Sequence, residues 1–390
     1  MELAEVTALV EDYEKAVGFA REAREAAAGM MPLYQKWAAN VKTTNPTMTQ
    51  EAIDKTLEGV ETNMNYLRFE RTALVLRRAG EEKLALELML EGLKLRGEDF
   101  KVQRMLTLEY NVIRPEESLK LIGDLQAILG NHEEAAASYE KAAGLIAEQY
   151  PEGHPAILDV RESEALLAAA KGDLKSAESI AASVLDSRME NLENVLAFAS
   201  ESQRLAYRDS IDPWSLFASL NLPEQLYTAV IRSKGIVLES ILEDRSVARQ
   251  ASDPKLEASL EELRASRRQL MEILMGGAEA GGKETATLRK RITKLESSLS
   301  DGVSAFGNSR ESLETTVREV AGAVPKGSVL IDYIRYRDYA APGRYVNRFG
   351  AVVLEPKGSP VFVPLAEASK VDAAMEVYAK AVRAEVTDDD

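Results

Sequence analysis

Three short segments in the first half of the chain repeat one pattern: Gly80-Glu-Glu-Lys-Leu-Ala85, Gly130-Asn-His-Glu-Glu-Ala135 and Gly172-Asp-Leu-Lys-Ser-Ala177. A glycine is followed by a short polar stretch and, five residues on, by an alanine. Glycine accepts the left-handed backbone that closes a helix, a conformation that crowds any other side chain. The alanine lets the next helix lie close to its neighbour. The pattern therefore predicts helical hairpins in series, each unable to bury its apolar face without the next. The last two copies lie 42 residues apart and the first two 50, so the array is irregular at its start. A weaker echo, Asp12-Tyr-Glu-Lys-Ala16 against Ser138-Tyr-Glu-Lys-Ala142, falls at a different place in the repeat.

Composition agrees with a mainly helical chain. Aromatic residues are 6% while hydrophobic residues reach 45%, so core material is ample but not of the β-branched and aromatic kind that sandwiches and barrels need. The 390 residues allow two or three domains. A net charge of −16 opposes binding to phosphate backbones, so no nucleic-acid partner is expected. No run approaches the roughly 20 apolar residues of a membrane span. The opening Met1-Glu-Leu-Ala-Glu-Val6 has no basic, apolar leader, so a cytoplasmic location is expected. With no cysteine, disulfides, thiolate metal sites and thiol nucleophiles are excluded for these residues.

Beyond residue 189 the period fades and helicity continues. Leu192, Val195, Leu196 and Ala199 form an apolar stripe; Asp212-Pro213-Trp214 reads as a helix start, and Glu224 to Arg245 as one long helix. Leu256, Leu260, Leu263, Leu270 and Leu274, with Arg267 on the same seam, face Leu288, Ile292, Leu295 and Leu299 across the Gly-rich stretch 276–283. That spacing predicts an antiparallel coiled-coil hairpin. After Pro325 the texture turns to strands at 329–336, 345–354 and 360–365, then an amphipathic helix at 366–384. A unit of about 65 residues makes a poor independent domain, and its sheet is expected to leave an open edge.

These features resemble known families. The segment 129–185, with its glycine turns and Pro151-Glu-Gly-His-Pro155 between helices, resembles the 42-residue tetratricopeptide variety of kinesin light chains. Gly327-Ser-Val-Leu-Ile-Asp-Tyr-Ile-Arg-Tyr336, Gly350-Ala-Val-Val-Leu-Glu-Pro356 and Val363-Pro-Leu365 resemble the opening of a CHAT domain, a caspase-like unit found after such repeats. The expected organisation is tetratricopeptide-like repeats at 1–190, a helical connector at 191–250, a coiled-coil hairpin at 255–300 and the N-terminal part of a CHAT-like α/β domain at 312–390. The resemblance implies a scaffold or regulatory region, with a protein partner on the concave face of the repeats. The complete family is a cysteine peptidase whose His and Cys lie in a later half than these residues cover. The alternatives are an adaptor or a caspase-like pseudoenzyme, either acting by binding alone.

No catalytic, cofactor-binding or metal-binding residue is expected. Gly277 to Lys283 spaces its glycines like a phosphate-binding loop, but Glu284 stands where a magnesium-binding hydroxyl belongs and no strand precedes it, so it reads as a hairpin tip. His132-Glu-Glu-Ala-Ala136 lacks the second imidazole of a zinc helix. His154 reads as a loop residue, Trp37 and Trp214 as packed aromatics. Two basic clusters stand out: the first reads as a solvated coiled-coil flank by default and as a dock for an acidic partner in the sharper reading, the second as a hairpin's exposed face or as a contact with an acidic surface of the later domain half. The first is Arg264, Arg267, Arg268 and Arg289-Lys290-Arg291; the second is Arg335, Arg337, Arg344 and Arg348.

Overall fold

The computed structural model describes residues 13–97, 113–250, 254–276, 282–302 and 314–387. Asp12 of the weak repeat echo and residues 277–281 of the phosphate-loop-like tip lie outside them. The chain is mostly helical, with one small antiparallel sheet near its C-terminus. It divides into two compact units, Met1–Leu145 and Ile146–Asp390.

In the first unit, helices α1 (Tyr13–Thr44), α2 (Gln50–Tyr66), α3 (Thr72–Arg78), α4 (Glu82–Leu95) and α5 (Pro115–Ile128) precede α6 (His132–Ala147), within which the boundary falls. The glycine turns form as the repeat predicts. Gly80 and Gly130 sit at φ +80° and +83°. After each, the next backbone N–H reaches back five residues, Glu81 to the Leu76 carbonyl at 2.9 Å and Asn131 to the Gln126 carbonyl at 2.8 Å. This pattern absorbs carbonyls that a helix end otherwise leaves unbonded. The helices then approach closely because small residues face large ones. A Cβ added to Gly123 meets the Tyr139 ring at 2.5 Å, and one added to Gly92 meets Phe69 at 3.0 Å. Phe69, Leu76, Leu88, Met89, Ile122 and Leu125 form the core around these crossings. Asp124, fully buried, accepts the Tyr139 hydroxyl at 2.9 Å and pairs with Arg77 and Lys120 at 3.2 and 3.1 Å. A buried carboxylate is tolerated only with such partners.

The second unit carries α7 (Pro155–Ala170), α8 (Leu174–Phe198), α9 (Glu201–Ser210), α10 (Ser215–Ser219), α11 (Pro223–Ser233), α12 (Ile236–Gln250), α13 (Pro254–Gly276), α14 (Gly282–Gly302) and α15 (Val317–Ala323). Gly172 repeats the turn at φ +83°, with Asp173 bonded to the Ala168 carbonyl at 2.9 Å. A fourth copy, unforeseen from the sequence, closes α10: Asn221 takes φ +53° and the Leu222 N–H reaches the Phe217 carbonyl at 2.9 Å. Asparagine is the commonest substitute for glycine in that conformation. Five residues after each turn residue, Ala85, Ala135, Ala177 and Leu226 are all 0% exposed.

The single helix expected over 224–245 is two. Gly235 at φ +88° separates α11 from α12, a break that apolar periodicity does not reveal because both pieces keep their apolar faces. Helices α13 and α14 pack as an antiparallel pair, Glu262 meeting Arg291 and Gln269 meeting Glu284. Leu263, Leu270, Leu274, Leu288, Ile292 and Leu299 fill the seam, and Val195 and Ala199 of α8 join the same cluster.

The sheet has the order β1 (Leu330–Ala341), β2 (Arg344–Leu354), β3 (Val361–Glu367), all antiparallel, followed by α16 (Ala368–Thr387). The first strand runs five residues past its expected end, through Arg337 to Ala341, paired with β2 up to Arg344. Ile334, Tyr336, Val352 and Leu354 point from one sheet face into the core formed by Leu192, Phe217, Leu226, Val230 and Ile236. The sheet therefore shares one core with the helices. Gly350 lets Tyr336 and Phe362 meet edge to face at 5.5 Å, since a Cβ there meets the Phe362 ring at 2.6 Å. Among the described residues, most of the large apolar side chains left exposed lie between Val329 and Val382, among them Tyr333, Val361, Met375 and Tyr378.

One of the two sheet edges, the outer edge of β1, is bonded by side chains over Arg335–Tyr339. The Trp214 indole N–H donates to the Arg335 carbonyl at 2.9 Å. Ser215 Oγ accepts from Arg337 N at 2.8 Å, while Ser219 Oγ donates to the Arg337 carbonyl at 3.0 Å and accepts from Tyr339 N at 2.9 Å. Side chains spaced one helical turn apart thus do what a neighbouring strand does for an edge. Replacing both serines with alanine is expected to cost about 1–3 kcal/mol and to speed exchange of the Arg337 and Tyr339 amides selectively. Unchanged protection at those two amides, measured by hydrogen exchange, contradicts the edge role.

Candidate functional site

Three places in the described residues combine charge with burial or concavity. The first is a groove of about 220 Å³ between α2 and α4, lined by Glu58, Glu61, Tyr66, Glu70 and Arg96 among others. It lies at a one-turn π-helix, Leu67–Arg71, that links α2 to α3. The wider turn buries two consecutive side chains, Phe69 and Glu70. Thr72 Oγ1 donates to the Leu67 carbonyl at 2.7 Å. Such single π turns concentrate at functional positions. Glu70 is held by Arg96 and by the Ser118 hydroxyl at 3.0 Å. Burial pushes its carboxyl above the usual range, against the opposing pull of Arg96 and Ser118.

A raised folded-state pKa means that the protonated acid favours folding, so the contribution is present at low pH and is lost as pH rises through the folded value. Glu70→Gln keeps the neutral shape. Its stability relative to the parent is expected to improve as pH rises above the ordinary carboxylate range. A difference independent of pH in denaturant titrations contradicts this.

The second place is the α13–α14 hairpin. Much of its basic cluster is paired with neighbouring acids: Arg264 with Glu261 at 2.6 Å, Arg291 with Glu262 at 2.8 Å, and Arg289 with Glu190. Arg268 stands 5.9 Å above the Phe198 ring. Arg267, the polar member of the seam, bonds Glu296 of the facing helix, and Glu193 of α8 through both its carbonyl and its carboxylate at 3.2 Å. The sequence displayed Arg267 as an irregularity; its meaning needed Glu193, 74 residues away.

The third is a cleft of about 400 Å³ between the segment 208–215 and β1 and β2. Arg208, Arg335 and Arg337 line it, with Trp214 and Asn347. Behind it lies a chain of buried charge. Arg188 bonds Glu162 at 2.8 Å and the Asp212 carbonyl at 3.0 Å, and the Asp212 carboxylate faces Arg337 Nε at 3.4 Å. The Asp212 carboxylate also accepts from Ser215 N at 3.1 Å, but α10 starts later than the sequence suggests: Trp214, not Asp212, is its cap residue, and Pro213 lies before the first turn. Burial raises the Asp212 carboxyl above the usual range, against the Ser215 bond and Arg337. The Tyr207 hydroxyl nearby is pushed up to about 12 by burial.

The chain matches no protein-family model and no curated protein.

The two histidines sit apart from all three places. His132 opens α6, partly exposed. His154 caps α7, its Nδ1 accepting from Ala156 N at 3.1 Å, and its ring stacks on Tyr150 at 3.9 Å. Pro155 occupies the first turn of α7, where it forfeits no helical bond. Among the described residues no group of three or more acidic or imidazole side chains is placed to hold a metal ion, and no helix is long and apolar enough to cross a membrane. Trp37 meets Tyr34 edge to face at 6.4 Å. Of the second basic cluster, Arg335, Arg337 and Arg348 each face an aspartate: Asp372, Asp212 and Asp338. Sequence reading missed Glu70 and the edge role of Ser215 and Ser219. The only local signal for the latter is two hydroxyls four residues apart beside a tryptophan.

Proposed function

We propose that this chain is a protein-interaction scaffold of the tetratricopeptide type that leads into the opening of a CHAT-like, caspase-related domain. The observation that carries this reading is the turn repeated at Gly80, Gly130, Gly172 and Asn221, each followed five residues later by a fully buried side chain. Hairpins that reuse one turn build extended surfaces for binding other proteins. The groove rimmed by Glu58 and Glu61 gives the partner a place to dock, and its acidic rim suits a basic segment. The order of three antiparallel strands and a helix over 330–387 supports the CHAT-like reading of the C-terminal segment.

The test is site-specific photocrosslinking of the full chain in its own cells. Benzoylphenylalanine at position 61 is expected to capture a discrete protein band. The same probe at position 238, exposed on α12, is expected to capture none. Equal capture at both positions, or none at either, counts against a groove-binding scaffold. Lacking any sulfhydryl side chain, the purified chain is expected to leave unstructured peptides uncut. Hydrolysis that survives removal of contaminants overturns the reading of these residues as a binding region.

A further inference from the structure

The turn 212–215 is tied to β1 through one carboxylate. Asp212 Oδ1 accepts from Ser215 N at 3.1 Å, within the turn, while Oδ2 faces Arg337 Nε at 3.4 Å, on the strand. The Asp212 side chain is 13% exposed and that of Arg337 41%. Charged groups close in on Asp212 from each neighbouring element. Arg188 of α8 donates to its carbonyl at 3.0 Å and gathers Glu162 and Asp159 of α7 at 2.8 and 3.6 Å. Arg208 and Asp209 of α9 line the same cleft, as does Arg335 of β1. Arg337 also donates to the Tyr339 hydroxyl at 3.3 Å and lies 5.3 Å over the Tyr345 ring of β2. Burial pushes the Tyr207 and Tyr339 hydroxyls upward, so both keep their protons in acid. Glu162 is a like charge that opposes ionisation of Asp212, and its buried Oε1 has no hydrogen-bond partner among the described residues.

We propose that Asp212 is an acid-sensitive latch between this turn and the sheet: as a carboxylate it holds the Arg337 guanidinium, and once protonated it lets that side chain go while the turn stays folded. The two contacts differ in what they require. Ser215 N needs only an acceptor oxygen, which a neutral carboxyl keeps. The attraction for Arg337 is charge on charge and is lost when the proton arrives. Arg337 is free to leave, since much of it meets water and the Tyr339 hydroxyl and Tyr345 ring offer it other contacts. Burial raises the Asp212 carboxyl above the usual range, and Glu162 adds to that effect against Ser215 and Arg337. A raised folded value means that proton uptake favours the fold, a contribution present at low pH and lost as pH rises through that value. The latch therefore opens in mild acid without unfolding the unit that carries it. It lies apart from the repeat groove and stands whether or not that groove binds a partner.

The experiment is an NMR titration of the full chain carrying isotope-labelled arginine, from about pH 7 to about pH 4. The Arg337 Nε signal is assigned by its loss in Arg337→Lys. It is expected to shift through one transition centred above the ordinary carboxylate range. Asp212→Asn keeps an acceptor for Ser215 N but carries no charge. Its Arg337 signal is expected to hold the parent's low-pH position throughout, and its urea midpoint at about pH 7 to equal or exceed the parent's. In Glu162→Gln the transition is expected at lower pH, because a like charge is gone. A signal that ignores pH, a transition that persists in Asp212→Asn, or its loss or upward move in Glu162→Gln overturns the proposal. Should a variant fail to fold, the carboxyl carbon signal of Asp212 in the parent decides. It must titrate together with Arg337 Nε, and separate midpoints overturn the latch.

Discussion

Arg267→Met is expected to destabilise the second unit by about 3–5 kcal/mol, because it takes the bonded guanidinium away from the buried Glu296 carboxylate in the hairpin seam. Arg267 and Glu296 side chains are each only 9% exposed. Removing one member of such a pair leaves a charge that water reaches poorly and that its opposite no longer offsets. The Arg267 Nε finds no acceptor among the described residues, so the pair already carries an unmet donor. Replacing both, Arg267→Met with Glu296→Leu, is therefore expected to recover most of the loss, as apolar side chains of similar volume close the seam. Urea unfolding followed through Trp214 in a Trp37→Phe background reads both variants. A double variant as unstable as the single one contradicts the ion-pair account. If the double variant is stable but α13 slides against α14, as read by crosslinks between introduced cysteine pairs, the ion pair sets register.

Tyr139→Ala is expected to destabilise the first unit by about 3–5 kcal/mol, the usual cost of emptying a buried aromatic site. Tyr139 is fully buried and fills the space that Gly123 leaves open. Its hydroxyl also donates to Asp124. Tyr139→Phe separates the two contributions, since it keeps the ring and removes only that bond, for about 1–3 kcal/mol. Trp37 fluorescence in a Trp214→Phe background follows this unit. A loss below about 1 kcal/mol for Tyr139→Ala indicates that the helices collapse into the vacated volume, and contradicts a rigid Gly123–Tyr139 crossing.

The legible parts of this fold were those governed by local rules. A glycine at a helix end, a proline at a first turn and an alternating apolar strand declare themselves within a few residues, and the turns at 80, 130 and 172, the start of α7 and the three strands were all readable. Asn221 hid a turn because asparagine has many other uses. Gly235 hid a break because the apolar stripe continues through it. The site residues were less legible. Glu70 is buried by a π turn that no propensity marks, and the serines that cover β1 are 118 to 122 residues from the backbone they bond. Arg335 and Arg337 were visible as a basic cluster, but the wall opposite them comes from 208–215, joined only by the tertiary fold.

The shared core of sheet and helices limits how this chain can be recombined. Ile334, Tyr336, Val352 and Leu354 roof the same interior that Phe217, Leu226 and Ile236 floor. A graft that swaps the strands for those of another protein must bring residues 211–237 along, or leave both halves of that interior wet. The seam at which this molecule can be cut and rejoined is therefore not where its helices give way to strands.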